Sequence, residues 1–438
     1  MTDSPFNFFQ HWYPVSPIED LDPTRPTPIV MLGSKFVVWR SRFSDRYSVF
    51  LDRCPHRLAP LSEGRIDEKT GNLMCSYHGW QFDPQGVCTH IPQAEEPDLI
   101  AEKREYYCVK ALPTQEVNGL LWVWPDTDSA AIALSHPLPL SPVVGANQDF
   151  VWSSVVRDLE YDWQTLIENI ADPSHVPFAH HGVQGNRNRA KPIPIKIVQS
   201  TQDCIEATIE SGMKTRITFK PPCYLEYEIN LGQGRQVGLV TYCIPVAAGK
   251  SRIVAQFPRN FAKRLHYWTP RWWSHIQERN QVLDGDMVLL HYQERDLQQR
   301  SQTENWKTAY KLPTSADRLV IEFRKWLDEY CHGQFPWRQI DSSTPVLSRE
   351  QLLDRYHQHT LICGSCRQAL KNIQRLQLGL LVYFAVALAI ATEMPDALRL
   401  SVSLPLVITA LLGLGITGVL KYWLQPQFYF VDYVHAKR

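Results

Sequence analysis

The chain has no excess of either charge: in 438 residues, 45 Lys and Arg balance 45 Asp and Glu. Phosphate-backbone binding depends on surplus positive charge, so a nucleic-acid partner is excluded as the main function. The first 24 residues contain no Lys or Arg. That leaves out the positive start of a secretory peptide and the Arg- and Ser-rich pattern of an organelle transit peptide. The expectation is a prokaryotic protein or a mature form, folding in a reducing compartment. Ten cysteines are too few for a disulfide scaffold. Internal repeats and low-complexity tracts are absent as well. What is present is a 44% apolar share, enough for a sizeable core, and 49 aromatic residues that suit pockets for flat, apolar ligands.

Two uncharged runs stand apart near the C-terminus. Seventeen residues separate Arg375 from Glu393, and twenty-one separate Arg399 from Lys421. A spanning helix needs ~20 apolar residues, with a lower limit of ~17. The intervening EMPDALR allows only a tight turn, so the pair reads as a transmembrane helical hairpin, with a buried hairpin in a soluble core as the competing reading. Arg367, Lys371 and Arg375 before it and Lys421, Lys437 and Arg438 after it put the large domain and the tail on the cytoplasmic or stromal side. Upstream, PIVML, KFVVWR, YSVFL, NLMCSY and LLWVWP alternate as short strands of a small β domain. Residues 126–150 read as a linker rich in Pro, Ser and Ala. Residues 193–260 alternate again and predict a larger antiparallel sheet, while 272–300 and 316–331 carry helical periodicity. The expected organisation is α+β: a β domain at 1–130, a catalytic domain at 131–335, a connector at 336–375, two transmembrane helices within 376–422, and a tail at 423–438.

The β domain holds Cys54-Pro55-His56-Arg57 and, separated from His56 by eighteen residues, Cys75-Ser76-Tyr77-His78-Gly79-Trp80. Each loop offers one thiolate and one imidazole, thiolate first. That order suits a two-iron, two-sulfide cluster with unlike irons, one holding both cysteines and the other both histidines. A Cys2His2 zinc site is the competing reading, but zinc fingers pair Cys with Cys and His with His. CPHR followed by CSYHGWQFD resembles the Rieske motif of Rieske-type oxygenases. The resemblance makes Cys54, His56, Cys75 and His78 the cluster ligands, although the gap is slightly long for the general pattern.

Beyond the linker lies Asn169-Ile170-Ala171-Asp172-Pro173-Ser174-His175-Val176-Pro177-Phe178-Ala179-His180. Continued as one helix, Asn169, Asp172 and His175 share a face, and a kink at Pro177 would turn His180 toward the same point. Two imidazoles and a later carboxylate would make the facial triad of a non-haem iron oxygenase. His181 reads as structural. The segment LDGDMVLLHYQERD offers Asp284, Asp286 and Asp296 as the third ligand. The pattern Asn-x2-Asp-x2-His-x4-His is similar to the mononuclear-iron motif of the same oxygenases. It implies that His175 and His180 bind Fe(II), and that Asn169 and Asp172 belong to the catalytic machinery. Asp172 would bridge to His78 of a neighbouring subunit, which is why such proteins assemble as rings, usually trimers. By the same likeness Asp286 fits the third ligand best, with Asp284 still open, and the catalytic domain is expected to be helix-grip-like.

DPSHVPFAHHGVQGNRNRAKPIPIKI, ADRLVIEFRKWLDEYC, DRYHQHTLICGSC and the terminal hairpin together resemble the branch that contains the pheophorbide a oxygenases, chlorophyllide a oxygenases and Tic55-type proteins, with the first subgroup nearest. The likeness implies a thylakoid, plasma-membrane or chloroplast-membrane protein that takes electrons from ferredoxin. Its expected reaction uses dioxygen to oxygenate a chlorophyll-derived tetrapyrrole, opening the macrocycle of pheophorbide a. Oxidation of a side chain of chlorophyllide or of another hydrophobic molecule is the alternative, and a membrane redox subunit a third reading. Cys363-Gly364-Ser365-Cys366 is a CxxC beside the hairpin. CxxC geometry permits a reversible disulfide, and in the resembling proteins it is a proposed thioredoxin target. Half of a zinc site, with no second CxxC to complete it, and an idle reduced pair stand beside that reading. Cys88, Cys108, Cys204, Cys223, Cys243 and Cys331 read as buried thiols.

Overall fold

The computed structural model describes residues 5–96, 101–145, 149–210, 212–300, 304–337 and 345–438. The alternating segments of the N-terminal third form strands. Thr27–Met31, Ser34–Arg40 and Tyr47–Leu51 make one three-stranded antiparallel sheet, and Tyr13–Pro17, Leu120–Val123 and Thr114–Val117 make another. Four very short strands, from Arg65–Ile66 to Cys88–His90, make a third sheet. Leu73–Met74 and Gln81–Phe82, in that third sheet, flank the loop that carries Cys75 and His78.

The catalytic half is built on a seven-stranded antiparallel sheet: β1 (Ser154–Leu159), β2 (Ile195–Ser200), β3 (Ile205–Ile209), β4 (Thr215–Lys220), β5 (Tyr224–Gly232), β6 (Arg235–Ala247) and β7 (Lys250–Gln256). Its order is β1-β7-β6-β5-β4-β3-β2, a meander whose first strand turns back to the far edge beside the last. Against it lie α1 (Trp163–Ala171), α2 (Asn280–Arg300) and α3 (Arg318–Trp326). The chain enters α2 through Arg271–Ser274 and a π-wound turn, His275–Arg279.

The core does not respect a boundary at residue 130. Phe8, Trp12, Tyr13, Phe36 and Trp122 share one apolar core with Val156, Trp163, Leu225, Val254 and Phe323. The Leu32-Gly33 turn donates its two backbone N–H groups to Pro245 and Val246 carbonyls of β6, both at 2.8 Å. The cluster loops sit over a separate small core, which includes Val37, Trp39, Phe50, Leu61, Leu73 and Phe82. The expected linker at 126–150 also contains a helix, Ala130–Ser135.

The C-terminal runs form α4 (Gly364–Glu393) and α5 (Leu404–Val419), the second part of a helical stretch from Asp396 to Phe428. Both stretches are long and apolar enough to cross a membrane, and only 6% and 22% of their most apolar windows are buried against protein. A helix of a soluble core covers its leucines and valines; here Leu378, Val382, Val386, Leu412 and Ile416 lie exposed. The two helices touch each other through Tyr383 and Thr409, whose hydroxyls are 2.6 Å apart.

Candidate functional site

The two loops, Cys54-x-His56 and Cys75-x2-His78, are built alike. In the first, the Cys54 amide donates to Ala59 carbonyl at 2.8 Å and the Leu58 amide to Cys54 carbonyl at 2.9 Å. In the second, the Cys75 amide donates to Trp80 carbonyl at 2.8 Å and the Gly79 amide to Cys75 carbonyl at 3.0 Å. Each loop closes with a left-handed residue four places after its cysteine, Leu58 at φ 61° and Gly79 at φ 73°. The cysteines are buried, His56 is exposed and His78 half-buried. The two imidazoles lie together, centroids 4.5 Å apart, and Trp80 stacks on His56 at 4.7 Å. Buried thiolates beneath outward-facing imidazoles fit a cluster that takes electrons at the protein surface.

The second motif does not continue as one helix. α1 ends at Ala171, Asp172 is extended, and Pro173–His175 is a separate 3-10 turn, because a residue before proline is driven out of the helical region. Pro177 does not kink a helix either; it sits in the first turn of Val176–Ala179, where a missing N–H costs nothing. The result is tighter than the expected arrangement. His175 Nε2 and His180 Nε2 are 3.1 Å apart, and Asp286 carboxylate oxygens lie 3.8 and 3.4 Å from them. Donors on one face of an octahedral ion with bonds of ~2.1 Å are ~3 Å apart, so these three fit one ion and leave its opposite face open. His175 Nδ1 donates to the Asp172 backbone carbonyl, which fixes the tautomer that presents Nε2.

Among the carboxylates, the helix itself discriminates. Asp284 is completely buried between Arg157 and Arg355, each at 2.6 Å, and faces away from the histidines. Asp286 is two residues on, over the imidazoles, and Asp296 is exposed and pairs with Arg300 at 2.8 Å. Gly285 between the two aspartates lets His180 pack against the helix, since a Cβ there would lie 3.2 Å from His180 Nδ1 and 3.0 Å from Ala179 carbonyl. Asn169 is buried at the end of α1, and its carbonyl accepts the Asp172 amide at 3.2 Å. Asp172 Oδ1 accepts from the Ser174 amide and hydroxyl, at 2.8 and 2.5 Å.

A cleft of about 540 Å³ opens onto Asp172, His175 and Asp286, within the usual range for small-molecule sites. Leu289, Leu290, Leu312 and Val320 give it apolar walls, and Tyr310 donates its hydroxyl to Glu168 at 3.2 Å. Burial, reinforced by Glu168, pushes Tyr310 up to about 12, so it stays a neutral donor. One helical face further along, Glu294 accepts from the Asp162 amide and the Thr165 hydroxyl at 2.6 and 2.7 Å. Burial, then the nearby Asp162, pushes its carboxyl up to about 7.

The tail after the hairpin returns to this site, which no sequence pattern announced. Tyr433 donates its hydroxyl to Ala179 carbonyl at 2.7 Å, and Arg187 donates to the Arg438 carbonyl at 2.8 Å. Cys363 and Cys366 are fully buried and meet His275 and His359, two histidines that sequence reasoning passed over. Of the remaining cysteines, Cys88, Cys223, Cys243 and Cys331 are buried, but Cys108 and Cys204 are partly exposed.

Comparison with known proteins identifies the family. A Rieske [2Fe-2S] domain model matches residues 11–113, and a pheophorbide a oxygenase model matches residues 219–304. Pheophorbide a oxygenase from Oryza sativa subsp. japonica is 39% identical, over 99% of this chain and 86% of that protein. The Arabidopsis thaliana counterpart is 38% identical, over 99% and 85%. Flavonoid 8-hydroxylase 2 from Ocimum basilicum is 35% identical, over 98% and 86%. Among solved structures, dicamba monooxygenase bound to dicamba shares the fold at a TM-score of 0.59 and 19% identity, covering 74% of this chain and 98% of that one. With paired thiolate-imidazole loops, an open set of three donors and this full-length likeness, the chain belongs to the pheophorbide a oxygenase family of Rieske oxygenases.

Proposed function

We propose that this protein is a ferredoxin-dependent monooxygenase that oxygenates a chlorophyll-derived tetrapyrrole, opening the macrocycle of pheophorbide a. The observation that carries the reading is the convergence of His175, His180 and Asp286 at a cleft that His175 and Asp286 line, in a chain 39% identical to a pheophorbide a oxygenase over 99% of its length. Cys54, His56, Cys75 and His78 are the proposed ligands of the [2Fe-2S] cluster, and His175, His180 and Asp286 those of the mononuclear Fe(II). The cluster supplies single electrons, and the mononuclear iron supplies the site for dioxygen.

The chain's own groups do the rest. The Asp172 carbonyl holds the Nδ1 proton of His175, so that Nε2 keeps its lone pair toward the metal. The Asp172 side chain accepts from Ser174 through Oδ1, which leaves Oδ2 for His78 of a neighbouring copy, the contact that a trimeric ring would make. The leucines give a flat, apolar substrate a contact surface among the polar residues that also line the cleft, while neutral Tyr310 offers one donor there. The catalytic domain is taken as a helix grip, with the sheet holding α1 and α2. α4 and α5 are proposed to anchor it in a thylakoid, plasma or chloroplast membrane, where such a substrate dissolves. The return of Tyr433 to Ala179 supports a hairpin whose two ends emerge on the same, cytoplasmic or stromal, side.

The test is turnover by the detergent-solubilised protein with reduced ferredoxin and labelled dioxygen, offering pheophorbide a, chlorophyllide a and protochlorophyllide. Loss of chlorin absorbance, with label in a linear product from pheophorbide a, is expected. Label in an intact ring would favour side-chain oxidation. Hydroxylation of another aromatic molecule is the second reading, favoured by the 35% identity to a flavonoid 8-hydroxylase, and label in a flavonoid alone would select it.

A further inference from the structure

A second set of four donors converges far from the cluster loops in sequence and lies outside the cleft. His275, on the π-wound turn before α2, His359, on another π-wound turn (Tyr356–Thr360), and Cys363 and Cys366, at the start of α4, place one ligand atom each within 4.8 Å of all the others. All four residues are at most 1% exposed. Among the described residues the only other set that converges so closely is His175, His180 and Asp286. The four cluster-loop residues do not, as suits donors that straddle two irons.

The distances match a single tetrahedral ion. His359 Nε2 and His275 Nδ1 are 3.1 Å apart; Cys366 Sγ is 3.3 Å from His359 Nε2 and 3.5 Å from His275 Nδ1; Cys363 Sγ is 3.5 Å from His275 Nδ1. Zinc–nitrogen bonds of ~2.05 Å and zinc–sulfur bonds of ~2.3 Å at tetrahedral angles place N and N ~3.3 Å apart and N and S ~3.5 Å apart.

The tautomers point the same way. The outer nitrogens of both rings donate to backbone carbonyls of β1: His359 Nδ1 to Val156 at 2.6 Å and His275 Nε2 to Ser154 at 3.2 Å. A carbonyl only accepts, so each outer nitrogen carries its ring's hydrogen. The inner nitrogens then face each other with lone pairs, an arrangement a cation between them stabilises. β1 is the edge of the sheet, and these two imidazoles cover its outward carbonyls. Arg271 donates to Cys363 Sγ at 3.4 Å, and Asp20, which pairs with Arg271, accepts the Gly364 amide at 2.7 Å. A thiolate ligand is thus supported from outside, as metal sites usually are.

We propose that His275, His359, Cys363 and Cys366 bind a structural zinc ion that ties the base of the hairpin to β1 and α2. Binding displaces two thiol protons, so the ion and two thiolates form an electrically neutral unit, and no electron is transferred. Four protein ligands close the sphere, which makes the site structural and not catalytic. The CxxC accordingly supplies a pair of ligands.

The test is elemental analysis and zinc-edge X-ray absorption on the intact, detergent-solubilised protein. The expected result is zinc in stoichiometric amount beside the iron, with two sulfur neighbours at ~2.3 Å and two nitrogen neighbours at ~2.0 Å. In Cys366→Ser zinc is lost while iron content and the cluster's visible spectrum persist; in His180→Ala zinc stays. If Cys366→Ser does not fold, the spectrum of the unmodified protein decides. Zinc-free protein with a Cys363–Cys366 disulfide that a dithiol reduces, or with thiols that alkylate freely in the folded state, would overturn the proposal. Iron in place of zinc would overturn the choice of metal.

Discussion

The two convergent donor sets of the catalytic half differ in the one respect that separates chemistry from architecture. His175, His180 and Asp286 number three, with His175 and Asp286 lining a cleft and the His175 side chain 22% exposed. His275, His359, Cys363 and Cys366 number four and are sealed among Ile276, Leu370 and Phe428. A vacant coordination position is what substrates and dioxygen need, and a closed sphere is what a staple needs. Both sets draw on the same length of chain, since His275 opens the turn that becomes α2 and Asp286 lies on α2 itself. Fixing one end of that helix therefore fixes the angle at which the carboxylate meets the open site.

The contrast can be broken by mutation, and the largest effect belongs to the open site. His180→Ala should abolish oxygenation outright while the cluster's spectrum and the fold survive, measured by turnover beside visible absorption. Next is Asp284→Asn. Asp286→Ala should cost activity and little stability, whereas Asp284→Asn leaves Arg157 and Arg355 buried without their counter-charge and should cost about 3–5 kcal/mol, read from urea unfolding. Gly285→Ala should act between the two, pressing on His180 and Ala179, with iron retention about tenfold weaker by metal analysis after dialysis. Tyr433→Phe removes the tail's bond to Ala179 and should cost about 1 kcal/mol.

A separate effect concerns protons. A carboxyl whose folded value is raised from 4.5 to about 7, as Glu294's is, holds its proton more tightly folded than unfolded. Its contribution is therefore present at low pH and lost as pH rises from about 4.5 to 7. Glu294→Gln should flatten that loss, so the gap in thermal midpoint between about pH 5 and about pH 8 narrows relative to the parent chain.

How far the sequence reaches follows from distance along the chain. The cluster loops and the His175–His180 pair are local patterns, and their spacing alone announces donors. The choice between Asp284 and Asp286 is not local, because two residues on a helix point some 200° apart and only the packing of Arg157 and Arg355 shows which is already engaged. The reading of one helix through Asp172 failed because Pro173 outweighs the i, i+3 pattern. His275 and His359 were illegible for a different reason. They stand 84 residues apart, neither lies beside a second ligand type in the manner of CPH, and the only clue was a CxxC that lacked its partners. The hairpin was plain from composition, whereas the return of its tail to Ala179 depends on tertiary contacts that no periodicity encodes.

The most direct test of the oxygenase account is a single turnover. The cluster is reduced chemically without ferredoxin, pheophorbide a is added, and labelled dioxygen is admitted to the parent chain and to His180→Ala. The account predicts that cluster reoxidation in the parent keeps pace with label entering a ring-opened product, and that His180→Ala keeps its reduced cluster and forms none. Labelled product from His180→Ala, or reoxidation in the parent with no label in any tetrapyrrole, would contradict it.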